Sequence, residues 1–220
     1  MKHDDNGHWI TIADMMSGLM AVFLFISVSY MSNAQKKTKG YLNLKGEMFK
    51  DLNAEFKADL EKWNAEIDED SLTIRFKALD SLFASGSPTP KPEFISVIYN
   101  FFPRYSRLIY SAKYRDHIDE IRIEGHTSST GQFEGQTIDA RYLYNLELSQ
   151  ARSRSVLKLA LLADEDEKIK LWLQNNLTAN GLSFSKPLLN QDRTEDKEKS
   201  KRVEFRIKLK TEDIIKSIGS

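Results

Sequence analysis

The sequence predicts a membrane-anchored α+β protein: a single N-terminal transmembrane helix, an amphipathic linker helix, and a mixed β-sheet with helices on one face. Three observations predict this fold class. An apolar stretch lies near the start, a charged but helically periodic stretch follows, and the remainder alternates strand-like and helix-like segments. We expect, in order, a short N-terminal segment, the transmembrane helix, the juxtamembrane helix or linker, the α+β domain and a C-terminal tail: 1–8, 9–34, 35–70, 71–210 and 211–220.

The apolar stretch, Trp9–Met31, has the length and composition of a transmembrane helix. Its one charged residue is Asp14, and no residue from Met15 to Gln35 is charged. About 20 mostly apolar residues suffice to cross a hydrocarbon core of roughly 30 Å. A cleaved signal peptide is the main alternative, but the first residues are not a basic region and the run exceeds the usual length of about 7 to 15 residues. We therefore favour a retained anchor.

A carboxylate within a membrane helix requires an explanation. Insertion of an aspartate near the centre of such a helix costs about 2.5 to 3.5 kcal/mol, so these residues usually face protein or water and often bind an ion or proton. The alternative is that Asp14 caps the helix at the membrane boundary, where a helix N-terminus favours negative charge. Composition alone does not separate the two interpretations.

The segment from Ala13 to Leu24 resembles the membrane signature of MotB-type stator proteins, Ala-Asp-x-Met-(Thr/Ser)-x-x-Met-x-x-Phe-Leu. The resemblance implies that Asp14 carries the coupling ion of a rotary motor, with Ser17 one helical turn away. It also implies MotA-like membrane subunits as partners, about five per two copies of this chain, and a homodimer of the chain itself. A lone carboxylate favours protons over sodium as the coupling ion, and we expect no other cofactor.

The orientation of the anchor rests on the same resemblance. Lys36, Lys37 and Lys39 follow the apolar run, and the positive-inside rule would place them in the cytoplasm. The family instead has its C-terminal domain in the periplasm. We follow the family and expect a single-pass protein of the bacterial inner membrane with a cytoplasmic N-terminus.

The charged stretch that follows contains a helical stripe with a period near 3.6: Phe49, Leu52, Phe56, Leu60, Trp63 and Ile67. Two roles for this stripe are open. It can pair with a second copy outside the membrane, or it can lie on the chain's own C-terminal domain.

The remainder of the chain predicts short strands over 71–76, 118–124, 177–182 and 203–209. Helices are predicted from Pro92 to Pro103, over about 105–115 and over 146–163, with 165–174 extending the last helix or forming another. The expected core face of the long helix consists of Leu146, Leu148, Val156, Leu157, Leu159, Ala160 and Leu161. The insert between Thr130 and Tyr144 reads as a long loop.

Four landmarks in order make residues 72–209 resemble the OmpA-type peptidoglycan-binding domain. They are a strand ending in Gly-His-Thr, an Asn-x-x-Leu-Ser-x-x-Arg motif, a later Gly and Pro, and a closing Lys-Arg-Val-Glu strand: Ile121–Thr127, Asn145–Arg152, Gly181 with Pro187, and Lys201–Ile207. The resemblance implies a site for peptidoglycan stem peptides, whose free carboxylates a guanidinium can hold with two parallel hydrogen bonds.

The resemblance assigns the carboxylate contact to Arg152. Asn145 adds an amide, expected near a helix start, and Leu148 supports the pocket; Tyr144 is included because it adjoins Asn145. The complete expected site consists of Thr127, Ser128, Tyr144, Asn145, Leu148 and Arg152. The alternative for Arg152 is a solvated arginine on a helix face.

One position departs from the family pattern. The family's Gly-His-Thr-Asp reads here Gly125-His126-Thr127-Ser128, so the aspartate that would pair with the ligand's ammonium group is absent. Ser128 can form hydrogen bonds but brings no charge. We interpret His126 as a structural turn residue.

A membrane acid and a wall-binding domain in one chain resemble ion-driven stators. The Gly-His-Thr-Ser-Ser and Tyr-Asn-Leu-Glu-Leu-Ser-Gln stretches are most similar to the stator subunits of the Zorya anti-phage defence system. A flagellar stator subunit and a passive membrane-to-wall tether are the alternatives. The Zorya resemblance also implies cytoplasmic defence effectors that act through the partner.

Composition argues against other function classes. The 32 basic and 32 acidic residues balance, which gives no electrostatic case for direct nucleic-acid binding. The absence of cysteine excludes disulfides and thiolate metal sites. His3, His8, His117 and His126 have no metal-ligand spacing, and no catalytic motif is evident, so we expect neither a metal site nor an enzyme.

Overall fold

The computed structural model describes residues 5–77, 79–130, 137–164, 166–210 and 212. Residues 1–4 of the predicted N-terminal segment and all of the predicted tail except Glu212 lie outside these residues. The chain divides into two compact units, with the boundary between Leu44 and Lys45. Helix α1 (Asp5–Leu60) contributes residues to both units.

In the first unit, α1 carries the predicted membrane anchor. The part of this helix from Trp9 onward is long and apolar enough to cross a membrane, with an 18-residue window of mean hydropathy 1.9. Because α1 begins at Asp5, Asp14 lies inside the helix and not at its N-terminus. The interpretation of Asp14 as a helix cap is therefore wrong, since the backbone N–H groups inside a helix are already bonded to carbonyls.

The second unit contains a five-stranded mixed sheet with strand order β1-β2-β5-β3-β4. Only β3 and β4 run parallel; the other neighbours are antiparallel. The strands are β1 (Ala65–Asp68), β2 (Thr73–Phe76), β3 (Ile118–His126), β4 (Leu177–Gly181) and β5 (Arg202–Leu209). The helices of this unit, after the end of α1, are α2 (Leu79–Leu82), α3 (Pro92–Ile109), a 3-10 turn (Arg115–His117), α4 (Ile138–Ala163), α5 (Glu167–Asn176) and α6 (Lys197–Ser200).

An aromatic cluster between the sheet and α3 forms the centre of the core. The Phe205 ring on β5 lies 5.0 Å from Phe101, 5.9 Å from Phe76, and 6.0 Å from both Phe102 and Tyr105. All five rings are fully buried. Aromatic side chains bury large apolar areas and gain further stabilisation from tilted contacts, so this cluster fixes α3 on the sheet.

The last turns of α1 pack on the chain's own domain. Met48, Leu52 and Phe56 are fully buried, and the Phe56 ring lies 5.2 Å from Phe101. Of the two roles open for the helical stripe, packing on the domain therefore holds for this part of it. The helix does not continue to Ile67, because it ends at Leu60 and Ile67 pairs with Ile74 in the sheet.

Helix α3 continues past the predicted end at Pro103 and stops at Ile109. A proline inside a helix removes one backbone hydrogen bond, which is why the sequence predicted a break. Burial of Phe102, Tyr105 and Ile109 on both sides of that bond outweighs its loss. The predicted second helix over 105–115 is therefore wrong; its first residues belong to α3 and its last to turns.

Helix α4 begins at Ile138, so much of the predicted loop between Thr130 and Tyr144 is helical. Thr137 caps it by accepting a hydrogen bond from the Ala140 N–H. The predicted core face of this helix is also largely wrong: of its members only Val156 and Ala160 are buried, and the other buried positions are Asn145, Ser149, Arg152, Ser153 and Ala163.

Two glycines explain why small polar residues form the inner face of α4. A Cβ atom on Gly125 would lie 2.4 Å from the Ser149 carbonyl oxygen, and one on Gly181 would lie 2.3 Å from the Gln150 backbone nitrogen. The helix thus approaches β3 and β4 more closely than any side chain would permit. Ser149 fits this gap, and its hydroxyl accepts a hydrogen bond from the Ser183 N–H at 3.0 Å.

Candidate functional site

A cavity of about 150 Å³ opens where α4 meets the loop after β3. Its walls come from four separate segments: the loop before α3, the loop after β3, one face of α4, and the residue before β5. The lining residues are Ser85, Gly86, Thr127, Ser128, Thr130, Tyr144, Asn145, Leu148, Arg152 and Lys201. All six residues expected at the wall-binding site lie in this cavity, and their role in binding stays a prediction.

Arg152 is held in place at the cavity wall. Its Nε donates a hydrogen bond to the Ser87 carbonyl at 3.0 Å, and its guanidinium lies 5.2 Å from the centre of the Phe83 ring. The side chain is only 5% exposed, so the alternative of a solvated surface arginine is wrong. Ser87 belongs to a loop closed by the pairing of Phe83 with Pro90, which orients the guanidinium plane.

Asn145 lies well inside α4, not near its start as the sequence suggested. The backbone N–H groups at this point are bonded within the helix, so the cavity receives only side chains from α4. The Asn145 amide nitrogen donates to the Arg141 carbonyl at 3.0 Å, which leaves the amide oxygen as the atom that can accept from a ligand. Tyr144 and Leu148 are half-buried beside it.

The loop after β3 contributes hydroxyl groups. Ser128 Oγ lies 3.1 Å from the Thr130 hydroxyl, and the Thr127 N–H donates to the Ser183 carbonyl at 2.8 Å. Thr127 Oγ1 is buried and has no hydrogen-bond partner among the described residues. Because an unpaired buried hydroxyl is costly, this atom is available to a ligand that enters the cavity.

Sequence reasoning did not include Ser85, Gly86, Thr130 or Lys201 in the site. Lys201 belongs to the closing Lys-Arg-Val-Glu landmark, so its position in that motif was the one available signal. Ser85 and Gly86 lie in a loop far from the other residues in sequence. No local pattern connects them to the cavity.

The two residues expected to move the ion, Asp14 and Ser17, belong to the first unit and are exposed in the isolated chain. The Ser17 hydroxyl donates to the Ala13 carbonyl at 2.8 Å. This back-bond points the hydroxyl along the helix, one turn from Asp14. On the same helix, an apolar groove is lined by Met16, Leu19, Met20, Phe23, Leu24 and Ser27.

A buried ion network lies at the end of β3 and the start of β5. His126 Nε2 is 3.4 Å from a Glu204 carboxylate oxygen and 3.5 Å from one of Glu124. These three side chains could surround a metal ion by distance alone. However, the other Glu204 oxygen accepts from Arg75 Nε at 2.6 Å and Arg202 Nε at 2.7 Å. The guanidinium groups already balance the carboxylates, so we interpret the cluster as a structural ion network.

This network perturbs the pKa of Glu204. Burial by itself would raise it, but the neighbouring His126 and the Arg202 guanidinium outweigh burial and hold the pKa well below its ordinary value of 4.5. The ionised Glu204 therefore stabilises the fold fully above about pH 4.5. That contribution is lost as the pH falls below this value towards the folded-state pKa.

Replacing Glu204 with glutamine should remove this acid sensitivity. The variant leaves Arg75 and Arg202 without their shared counterion, so we expect a loss of about 3 to 5 kcal/mol in unfolding free energy at neutral pH. The loss should shrink below about pH 4. Urea unfolding of the full chain in detergent, followed by tryptophan fluorescence over this pH range, measures both. Glu69→Gln, at an exposed acid, is the control; an unchanged acid slope in Glu204→Gln would contradict the assignment.

The chain is similar over nearly its whole length to a bacterial protein. It is 38% identical to the Zorya protein ZorB of Escherichia coli over 225 residues, which cover 99% of this chain and 94% of that protein. No model of a known protein family matches the chain.

Solved structures of other proteins resemble the fold of this chain. The crystal structure of a MotB like protein from Desulfovibrio vulgaris has a TM-score of 0.52 and 23% identity, and covers 77% of this chain and 94% of its own. The cell wall anchor of the T6SS from Pseudomonas aeruginosa has a TM-score of 0.49 and 22% identity, and covers 72% of this chain and 97% of its own. The first similarity confirms the predicted fold class.

Proposed function

Because this chain belongs to the family of the Zorya protein ZorB, as its motifs predicted, we propose that it is the wall-anchored stator subunit of a proton-driven motor in a Zorya anti-phage defence system. In this role α1 crosses the bacterial inner membrane once. The N-terminus faces the cytoplasm and the second unit lies in the periplasm. The chain binds the wall and transmits force, and it catalyses no reaction.

The cavity beside α4 is the observation that carries the wall-binding part of the proposal. A guanidinium fixed by Ser87 and Phe83 presents a rigid fork, and carboxylates of peptidoglycan stem peptides match that fork. Asn145 supplies an amide oxygen, and Thr127 supplies a buried hydroxyl that has no partner among the described residues. Together these groups would fix both the charge and the orientation of a stem peptide.

The membrane part of the proposal rests on Asp14. A carboxylate within an apolar helix costs about 2.5 to 3.5 kcal/mol when it faces lipid, so it needs protein or water around it. The apolar groove between Met16 and Ser27 supplies a surface for neighbouring helices. We infer that ZorA-type, MotA-like subunits surround this helix, about five per two copies of the chain, and that the chain forms a homodimer. Asp14 would take up and release protons there, with Ser17 alongside.

Co-sedimentation with purified sacculi tests the wall-binding part. The full chain in detergent should sediment with sacculi, and Arg152→Ala should weaken its affinity by at least about tenfold, or about 1.4 kcal/mol. Arg154→Ala is the matched control, because Arg154 lies on the same helix but is exposed. It should sediment like the unaltered chain.

Because Arg152 also packs inside the domain, its variant needs a check of folding. Arg152→Lys keeps the positive charge and loses the two-pronged geometry, so it should bind at an intermediate level. Unfolding midpoints of all three variants show whether the domain is intact. If a folded Arg152→Ala sediments as well as the unaltered chain, the assignment of the site is wrong.

A further inference from the structure

The charged residues that line the cavity in the described part of the chain are all positive. Two of its lining residues, Arg152 and Lys201, are cationic, and none of the ten described lining residues is acidic. The carboxylates of Glu195 and Glu198 pair with groups at the cavity's edge but are not among its described lining residues. Glu195 accepts hydrogen bonds from the Ser129 N–H at 3.0 Å and from its hydroxyl, and the exposed Glu198 pairs with Lys201 at 3.1 Å.

This charge distribution favours the carboxylate of a free amino-acid terminus but not its ammonium group. The side chain of diaminopimelate in a stem peptide ends in a carboxylate and an ammonium group on one carbon atom. Arg152 matches the carboxylate. The described lining offers the ammonium group only cations and neutral groups, and an ion that loses its hydration without an opposite charge is strongly disfavoured.

An acylated amine removes this conflict. It is a neutral amide whose single N–H needs one acceptor, and the cavity offers the hydroxyls of Thr127, Ser128 and Thr130. The buried Thr127 Oγ1 is the best acceptor for this N–H, because it has no partner within the part of the chain described. A hydrogen bond from the amide would remove the energetic cost of leaving this hydroxyl buried and unpaired. In the cell wall, the diaminopimelate amine is acylated where it forms a peptide cross-link.

We propose that this cavity recognises the carboxylate of a diaminopimelate residue whose side-chain amine is acylated, as in a cross-link, and discriminates against the free amine. The proposal rests on the proposed wall-binding function. It adds that the stator is anchored to cross-linked peptidoglycan in preference to uncrosslinked stem peptides. Ser128 determines this preference, because it stands where a carboxylate would favour the free amine.

Two soluble peptides test the preference directly. Both are stem tripeptides that end in diaminopimelate, one with a free side-chain amine and one with that amine acetylated. Calorimetric titration of the full chain in detergent should give at least about tenfold tighter binding of the acetylated peptide. Equal binding, or tighter binding of the free amine, would overturn the inference while leaving wall binding intact. Binding of neither peptide would overturn the wall-binding function as well.

Variants at Ser128 separate charge from size. Ser128→Asp adds a carboxylate at the cavity wall and should reverse the order, so that the free amine binds more tightly. Ser128→Asn introduces a side chain of nearly the size of aspartate but without its charge, so it should keep the order of the unaltered chain. If both variants reverse the order, or neither does, the preference does not depend on the charge at this position. The comparison of the two peptides on the unaltered chain stands even if a variant fails to fold.

Discussion

Replacing Asp14 with asparagine should abolish phage defence while the chain still enters the membrane and binds the wall. Asparagine has nearly the size of aspartate and can accept hydrogen bonds through its amide oxygen, but it cannot release a proton. If Asp14 carries the coupling ion, the motor cannot cycle without it. Plaque formation on cells that carry the complete defence system measures the effect, and we expect plaque numbers to equal those on cells without the system.

Three controls make this result specific to the carboxylate. Asp14→Glu keeps the acid and displaces it by about one methylene, so partial protection is expected. Ser17→Ala removes the neighbouring hydroxyl and should have a smaller effect than Asp14→Asn. The Asp14→Asn chain should still sediment with sacculi, because Asp14 and the cavity belong to different units. Full protection by Asp14→Asn at normal membrane levels would exclude the ion-carrier role.

Replacing Phe205 with alanine should strongly destabilise the second unit. Phe205 is fully buried, and its ring contacts those of Phe76, Phe101, Phe102 and Tyr105. Removal of such a ring leaves a cavity that the neighbouring rings cannot fill, at a cost of about 3 to 5 kcal/mol.

Urea unfolding of the full chain in detergent checks the Phe205 prediction through the fluorescence of Trp63, whose ring lies 6.0 Å from Phe101. Tyr99→Ala is the control on α3, since Tyr99 is 47% exposed and should cost less than about 1 kcal/mol. A Phe205→Ala midpoint close to that of Tyr99→Ala would mean that the cluster is not the centre of the core.

The candidate site could be predicted only in part. Of the six residues expected at the site, five lie at motif positions and Tyr144 was included because it adjoins Asn145; all six line one cavity. Ser85, Gly86 and Lys201 were not assigned to it. They reach the cavity because the loop before α3 and the start of β5 converge on α4, and such long-range contacts leave no periodic trace in the sequence.

The buried face of helix α4 was also not predictable from the sequence pattern. Its leucines predicted an apolar inner face, yet Ser149 and Ser153 are fully buried there. Apolar periodicity identifies buried faces only when burial is driven by apolar area. Here the approach permitted by Gly125 and Gly181 selects small residues, and hydrogen bonds within the helix and to Ser183 satisfy their hydroxyls.

The sequence by itself determined the apolar helix with its single acid, four of the five strands and the fold class, whereas β1 lay within the predicted linker helix. These are local properties, because twenty or so consecutive residues specify a membrane helix and alternating patterns specify strands. The tertiary structure decided that α1 ends at Leu60 and packs through Phe56, that α3 continues through Pro103, and that the described residues lining the cavity are neutral or cationic. Each of these depends on which distant segments come into contact, and the free energy of that packing exceeds the local preferences of the chain.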